Sequence, residues 1–475
     1  MASPTSLRVS RFSAWLERAP APVFVGFAIA AAFATYFAMY AFRKPFAAAS
    51  FEGQFFFGTE ITLKSAIVIS QVVGYALSKL IGIKVCSEVT PARRAGLLLL
   101  LIGIAQAALV LYALLPGGWK IVAIFLNGLP LGMVWGLVVW YLEGRRTSEL
   151  LLMGLSLSFI VSSGAVKDFG RALMNGGIAE TWRQLPLIGA PIGAALGRVN
   201  ESWMPAVAGF HFLPVFLLAV WLLNQLPRPS AADIELRAAR RPMPGADRLA
   251  FLRQFAFGLA LLCVAYFFLT AYRDFRDNYQ VELFDALGYR YADNKTIISR
   301  AETIVTLGVM AILALLYFVR DNRRGLRCTF GIMTSGVLLL GVSTILLHTG
   351  VMSGFWWMTC TGLGSYLCYV PYGSVLFDRL IASTRVSGTA VFAIYVADTI
   401  GYIGSIGSLL FKDLVAGSMS RLTFFTGFTW LLCGVGLVCL VSSAIYFDRR
   451  VRDFADARSR APFPPAVAPL PATST

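Results

Sequence analysis

The stretch at residues 36–46 reads YFAMYAFRKPF, and the run from 19 to 42 that leads into its two cations carries no charge. Such a run is long enough to cross the hydrocarbon core of a bilayer as a helix. An arginine at bilayer depth costs about 3 kcal/mol on insertion scales, so it usually has a function. A near-copy, YFFLTAYR, occurs at 266–273, with Tyr, Phe, Ala and Arg in register at an offset of 230 residues. The sequence therefore predicts two related halves, each with an arginine in its first membrane helix.

The composition indicates an integral membrane protein. Of 475 residues, 57% are hydrophobic and 14% are charged, whereas soluble domains carry about 25% charged residues. The formal charge of +16 does not indicate nucleic-acid binding, because the basic residues lie in short loops between spans and follow the positive-inside rule. We therefore expect a multi-pass protein of the inner (plasma) membrane that contacts lipid and binds no nucleic acid.

Twelve apolar segments are predicted to cross the membrane as helices. Basic residues follow every even-numbered span, which places both termini in the cytoplasm. The predicted spans are 19–43, 62–83, 95–116, 119–142, 150–167, 203–226, 254–273, 300–319, 326–348, 353–378, 387–411 and 422–447.

A polar segment rich in proline and alanine divides the chain between the sixth and seventh spans. Together with the repeat, this division predicts an all-α fold of two pseudo-symmetric six-helix bundles, the major-facilitator architecture. The fold of segment 168–202 stays open, because its apolar run at 185–196 could lie on the membrane or fold back into the cavity. The predicted parts are a cytoplasmic tail at 1–18, a first bundle at 19–226, a cytoplasmic linker at 227–250, a second bundle at 251–448 and a disordered cytoplasmic tail at 449–475.

Arg43 and Arg273 are the leading candidates for a binding site, because the first helix of each half would face the central cavity. Two guanidinium groups can form bidentate hydrogen bonds with a phosphate or a carboxylate, which lysines do less well. Tyr36 and Tyr40 share the helical face of Arg43. The alternative for each arginine is a side chain that extends to the membrane surface. The same two alternatives apply to Lys79, which lies in an apolar helix close to a basic loop.

The residues around Arg43 resemble a known family. The patterns Tyr-x-x-x-Tyr-x-x-Arg-Lys-x-Phe at 36–46 and Tyr-x-x-Ser-Lys at 75–79 resemble those of the organophosphate:phosphate antiporters, the glycerol-phosphate and hexose-phosphate group of the major facilitator superfamily. The glycine-rich fourth helix is similar as well. That family's fifth-helix histidine has no counterpart here, which indicates a sister branch. The resemblance implies a phosphoryl-binding site formed by Tyr36, Tyr40, Arg43, Tyr75, Lys79 and Arg273.

Three acidic residues bear on coupling. Asp398 is the one acid well inside an otherwise apolar span, so it is protonated, paired with a cation of the cavity, or a proton-coupling site. Lys167 and Asp168 close the predicted fifth span and form either a local neutral pair or a proton relay. Asp277 lies four residues after Arg273 and could pair with it, which would turn Arg273 away from the centre.

Aromatic residues are further candidates for lining the cavity. Tyr369 and Tyr372 flank Pro371 on the tenth span and could line the cavity or kink a gate. Trp135 either lines the cavity or fills space between helices. The seven cysteines show neither a disulfide framework nor zinc spacing, and we find no phosphate-binding loop, nucleophile elbow or metal motif. We therefore expect no enzyme activity, no cofactor and no metal.

The function that these patterns favour is secondary transport of a small anionic solute, phosphorylated or carboxylated, by alternating access. The arginine pair would bind the anion, and an antiporter would exchange it for another anion. Two alternatives stay open: a proton-coupled symporter that uses Asp398, and a membrane-embedded sensor that binds a solute and signals to a partner protein. No obligate protein partner is evident, and the sensor's contact surfaces would be the linker and the C-terminal tail.

Overall fold

The computed structural model describes residues 10–145, 147–185, 189–227, 229, 251–384 and 390–460. Within these residues the fold is helical, and twelve of the helices are at least 20 residues long. The predicted all-α class is confirmed. In chain order the long helices are α1 (Ala21–Tyr40), α2 (Leu63–Glu88), α3 (Arg94–Leu114), α4 (Lys120–Leu142), α5 (Ser148–Met174), α6 (Met204–Leu223), α7 (Ala256–Asn278), α8 (Ile297–Tyr317), α9 (Asn322–His348), α10 (Gly354–Ser374), α11 (Ala390–Leu414) and α12 (Arg421–Arg460).

Ten of these helices, within the described part of the chain, are long and apolar enough to cross a membrane. The two others are α10, which is rich in glycine, hydroxyl-bearing and aromatic residues, and α11, which contains Asp398, Lys412 and Asp413. Polar groups are tolerated in a span where they face protein instead of lipid. The length and composition of the helices therefore agree with a multi-pass membrane protein.

The packing of the helices repeats from one half to the other. In the first half α2 and α3 pack on α4, α1 packs on α5 and α6, and α3 packs on α6. Each of these pairs recurs six helices later, as α8 and α9 on α10, α7 on α11 and α12, and α9 on α12. The halves meet where α5 packs on α8 and where α2 packs on α11. This is the predicted pseudo-symmetric arrangement of two six-helix bundles.

Glycines in α4 allow α2 to approach it closely. A Cβ atom at Gly128 would lie 2.7 Å from the carbonyl oxygen of Gln71, and one at Gly132 would lie 2.8 Å from that of Tyr75. Small residues at helix contacts permit this kind of packing in membranes. The close approach fixes α2, which carries Tyr75 and Lys79.

Helices α5 and α7 continue past their predicted ends, residues 167 and 273, to Met174 and Asn278. The charged residues that suggested these ends have partners inside the protein, since Arg273 pairs with Asp274 and Lys167 pairs with Asp277 of the opposite half, so the helices need not end before them. The open question about segment 168–202 is answered in part by two short helices, Gly177–Arg183 and Gly189–Leu196, which pack on each other. Trp182 donates a hydrogen bond from Nε1 to His211 of α6, at 3.2 Å, so the segment packs against α6.

The tails differ from the expectation where the structure describes them. A short helix, Arg11–Arg18, with Ser10 as its N-cap, precedes α1. We predict a disordered tail from residue 449, whereas α12 continues to Arg460. Residues 1–9, 461–475 and nearly all of the predicted linker, at 228 and 230–250, lie outside the described residues.

Candidate functional site

The turn that carries Arg43 is held by side chains of α2 and α4. Helix α1 ends at Tyr40, so Arg43 lies just beyond it. Gln71 donates from Nε2 to the carbonyl oxygen of Arg43 at 2.9 Å and to Oδ1 of Asn127 at 3.0 Å. Asn127 donates from Nδ2 to the carbonyl oxygen of Phe42 at 3.0 Å. The last carbonyl groups of a helix need such partners, and here they fix the position of Arg43.

The guanidinium group of Arg43 lies against aromatic faces inside the bundle. Its Cζ atom is 4.1 Å from the ring centroid of Tyr75 and 5.6 Å from that of Tyr40. Among the described residues it makes neither an ion pair nor a hydrogen bond, and its Nε atom is buried without a partner. A cation over an aromatic ring gains some attraction, but its N–H donors stay free. Arg43 therefore packs on α2 and offers unused donors, unlike an arginine that extends to the membrane surface.

Lys79 of α2 and Asp398 of α11 form an ion pair between the halves. Their Nζ and Oδ2 atoms are 2.6 Å apart. Tyr266 donates from its hydroxyl group to Oδ1 of Asp398 at 2.7 Å, and Nζ of Lys79 lies 5.1 Å from the ring centroid of Tyr402. Of the alternatives left open for Asp398, the structure shows pairing with a cation.

Arg273 forms an ion pair with its neighbour Asp274 at 2.5 Å. Its Cζ atom lies 3.7 Å from the ring centroid of Tyr369, and Asp274 also accepts a hydrogen bond from the Ser405 hydroxyl group at 2.7 Å. The pairing of Arg273 with Asp277 that the sequence left open is not formed, because Asp277 binds Lys44 and Lys167 of the first half. The carboxylate that neutralises Arg273 is thus the adjacent one.

Contacts between side chains connect the two arginines. The ring centroids of Tyr75 and Tyr402 are 6.4 Å apart, and those of Tyr266 and Tyr369 are 5.5 Å apart. With the contacts above, these distances form a continuous path from Arg43 to Arg273 through the Lys79–Asp398 pair. We call this set the central cluster: Arg43, Tyr75, Tyr402, Lys79, Asp398, Tyr266, Tyr369, Arg273 and Asp274.

Tyr36, Tyr40 and Trp135 border the central cluster on the side of α1 and α4. The ring of Tyr36 lies 5.6 Å from that of Tyr40 and 4.9 Å from that of Trp135. Phe159 of α5 then connects Trp135, at 6.2 Å, with Tyr369, at 6.5 Å. The structure therefore brings these predicted residues together with both arginines.

Tyr372 does not present its hydroxyl group to the central cluster. That hydroxyl group donates to the carbonyl oxygen of Leu262 at 3.0 Å, and the ring packs 4.5 Å from that of Tyr266. Tyr372 is buried, with 2% of its surface exposed. The expectation that it lines the cavity therefore does not match its position behind Tyr266.

Ion pairs also connect the halves where α1 ends and α2 begins. We call them the ion-pair lock: Lys44–Asp277 at 2.6 Å, Lys167–Asp277 at 2.8 Å and Lys64–Glu282 at 2.5 Å. Every cation of the lock belongs to the first half, and both carboxylates belong to the second. A buried charge that is left without any partner is strongly destabilising, so the two halves are joined at this end by charges that need each other.

The expected coupling residues Lys167 and Asp168 lie at this end and outside the central cluster. Lys167 also donates to Oε1 of Gln280 at 2.6 Å. Asp168 accepts from the backbone N–H of Ser299 at 2.7 Å and from its hydroxyl group at 2.6 Å. Lys167 and Asp168 therefore do not pair with each other, and the local partner of Asp168 is Arg171 of the same helix, at 3.8 Å.

Sequence reasoning missed several residues of both regions. Gln71 and Tyr402 shape the central cluster, while Lys64 and Glu282 belong to the lock. A lysine within the second span and an acid just beyond the seventh are visible in the sequence, but no sequence pattern pairs residues that lie more than 200 positions apart. For Asp274 the sequence favours a local charge-neutralising role, and the structure shows Arg273 as its partner.

The central cluster can accommodate one negative charge. Asp398 neutralises Lys79 and Asp274 neutralises Arg273, which leaves the charge of Arg43. Charge interactions are stronger in a low-dielectric interior than in water, so Arg43 would attract an anion that lies beside it. Within the described residues there is no group of three or more His, Cys, Asp or Glu side chains that could hold a metal ion.

Comparison with known proteins gives a family and a fold. A family of unknown function, DUF5690, matches at residues 45–194 and 188–450, so the chain belongs to this family. A sequence search of curated proteins found no match.

Three solved structures are similar over most of their length. The first is a bacterial homolog to the human lysosomal transporter Spinster, inward-facing and unoccupied, with a TM-score of 0.57, 12% identity and coverage of 96% of this chain and 100% of that chain. The second is a mutant of the nucleoside transporter NupG, with a TM-score of 0.53, 11% identity and coverage of 93% of this chain and 100% of that chain. The third is a D-xylose-proton symporter, with a TM-score of 0.52, 13% identity and coverage of 88% of this chain and 96% of that chain. At sequence identities this low, the similarity is informative about the fold alone. The structural similarity confirms the predicted major-facilitator fold.

Proposed function

We propose that this member of the DUF5690 family is a secondary transporter that moves a small anionic solute across the plasma membrane by alternating access. The fold supports the proposal, since alternating access in this architecture moves one half against the other around a site between them. The central cluster has that position, because residues of both halves form it. The observation that carries the proposal is the unpaired guanidinium group of Arg43.

An unpaired cation inside a protein is costly, because burial removes its hydration. A bound phosphoryl or carboxylate group would supply both the charge and the hydrogen-bond acceptors that Arg43 lacks. The surrounding tyrosines add hydroxyl donors and aromatic surface for the rest of the solute. The resemblance of residues 36–46 to the organophosphate:phosphate antiporters makes phosphate and its esters the first solutes to test.

The ion-pair lock gives the proposed cycle its closed end. With both termini in the cytoplasm, as the basic loops indicate, the lock lies at the outer end of the bundle. Opening the outer end would separate Lys44, Lys64 and Lys167 from Asp277 and Glu282. In the proposed cycle this state is closed at the end that carries the lock, so solute would have to reach Arg43 from the other end.

Exchange of inorganic phosphate in vesicles tests the proposal. We expect purified protein in phosphate-loaded vesicles to exchange labelled phosphate, and Arg43→Lys to lower the rate about 100-fold, since two charge-assisted hydrogen bonds are weakened. Arg183→Lys is the matched control, because this arginine is exposed on a short helix and pairs locally with Glu180. Exchange that is unchanged in Arg43→Lys would contradict the proposal.

Proton coupling is a second candidate, and the contacts of Asp398 favour it. Its carboxylate is shared by Lys79 and Tyr266, so a proton on Asp398 would release the contact between α2 and α11. We expect Asp398→Asn to keep phosphate exchange and to abolish uphill uptake driven by a proton gradient. A wild-type protein whose uptake is independent of pH would count against this coupling.

A further inference from the structure

A groove between α9 and α12 lies on the surface of the bundle, away from the central cluster. Its volume is about 380 Å³. Most of its lining is apolar, including Phe330, Leu338, Val441 and Ile445. Three of these side chains are exposed: Leu338, Val441 and Ile445, at 50%, 43% and 50%. In a membrane-spanning helix such residues face the hydrocarbon core.

Arg323, Arg327 and Asp448 line one end of the groove, and Arg452 lies beside this end as a further partner of Asp448. Asp448 pairs with Arg327 at 2.7 Å, with Arg323 at 3.4 Å and with Arg452. The side chains of Arg327 and Arg452 are 52% and 57% exposed, whereas Asp448 is 17% exposed. Three guanidinium groups around one carboxylate leave excess positive charge at the open end of an apolar groove.

We propose that this groove binds one anionic phospholipid, with its phosphate held by Arg327 and Arg452 and an acyl chain along α9 and α12. Basic pockets between membrane helices bind anionic headgroups in this way. From Arg323 to Leu338 the groove follows α9 for about 22 Å at 1.5 Å per residue. This length is sufficient for the acyl chain, because the hydrocarbon of one leaflet is roughly 15 Å thick. The site therefore matches a lipid in both charge and length.

A second groove on the surface of the protein is apolar as well, but it carries no charged residues in its lining. It has a volume of about 540 Å³, and its lining residues, among them Phe267, Phe377 and Ile400, are all apolar. An acyl chain would fit there without any preference for its headgroup. The arginines around Asp448 are thus the feature that would select an anionic headgroup. The apolar walls beside them favour a lipid over a free phosphate.

Native mass spectrometry of the detergent-purified full chain tests the site. The probes are phosphatidylglycerol and phosphatidylcholine with identical acyl chains, and glycerol phosphate serves as the headgroup without a chain. We expect one phosphatidylglycerol to bind about 10-fold more tightly than phosphatidylcholine, and the double variant Arg327→Gln, Arg452→Gln to remove that difference. Asp448→Asn should strengthen phosphatidylglycerol binding, because it frees the arginines. Glycerol phosphate should not compete.

The matched control is Arg320→Gln with Arg449→Gln, which removes the same charge from exposed positions at the same end of the bundle. Equal loss of phosphatidylglycerol in both double variants would overturn the proposal, since surface charge alone would then explain binding. Equal binding of the two lipids to the wild type would overturn it as well. Competition by glycerol phosphate would show a site for free phosphate and would also contradict a lipid site.

Discussion

Arg43 and Arg273 occupy corresponding positions in the two copies of one sequence motif, yet their surroundings differ. Both guanidinium groups lie over a tyrosine ring, at 4.1 Å from Tyr75 and 3.7 Å from Tyr369. The next residue is Lys44 in the first copy and Asp274 in the second. Arg273 therefore has a carboxylate partner, whereas Arg43 has none among the described residues. The repeat sets the position of each arginine, and the neighbouring residue sets its charge balance.

The two copies also differ in local structure. Arg43 lies in the turn after α1, which ends at Tyr40, whereas Arg273 lies inside α7, which continues to Asn278. The extra turn of α7 carries Asp277, which binds Lys44 and Lys167. One half thus supplies the free cation of the central cluster, and the other supplies a carboxylate of the lock. A pseudo-symmetric fold can in this way hold an asymmetric site.

The largest expected difference is between the two lysine substitutions. Arg273→Lys should lower phosphate exchange about 10-fold, against about 100-fold for Arg43→Lys, because part of the hydrogen bonding of Arg273 already goes to Asp274. Initial exchange rates in vesicles measure both. Equal losses in the two variants would mean that both arginines contribute equally to phosphate binding, which would contradict the proposed difference between Arg43 and Arg273.

A smaller effect is expected when Arg273 is freed. Asp274→Asn removes its carboxylate partner and leaves a second unpaired guanidinium group, so phosphate affinity should rise about 5-fold, as for one added hydrogen bond of about 1 kcal/mol. Isothermal titration of the purified protein with phosphate measures the change. Ser405→Ala is the control, since it removes a hydrogen bond of Asp274 and keeps its charge. A folded Asp274→Asn protein without gain would show that Arg273 does not reach the anion.

The smallest effect on binding is expected in the lock. Lys44→Gln leaves Asp277 paired with Lys167, so phosphate affinity should stay within about 2-fold of the wild type while thermal stability falls slightly. Thermal unfolding with and without phosphate measures both quantities. A large loss of phosphate affinity would place Lys44 in the binding site and join the two regions that the structure separates.

Much of the architecture follows from local patterns. Runs of about twenty apolar residues gave the twelve long helices, and the repeat at residues 36–46 and 266–273 gave the two halves. The candidate residues Arg43, Lys79 and Asp398 also followed from the sequence, because a charge within an apolar run is conspicuous. The partners did not follow: Asp398 pairs with Lys79 across 319 positions, and local patterns contain no information about such pairs.

By itself the sequence determined the membrane class, the helices, the division into halves and the presence of an arginine in each. These features depend on hydrophobicity and short-range order, which are properties of contiguous residues. Only the tertiary structure decided which charges neutralise each other, leaving Arg43 unpaired while Asp274 pairs with Arg273 and Asp277 joins the lock. Charge pairing is a matter of distances of a few ångströms between helices, and those distances arise only when the two halves pack together.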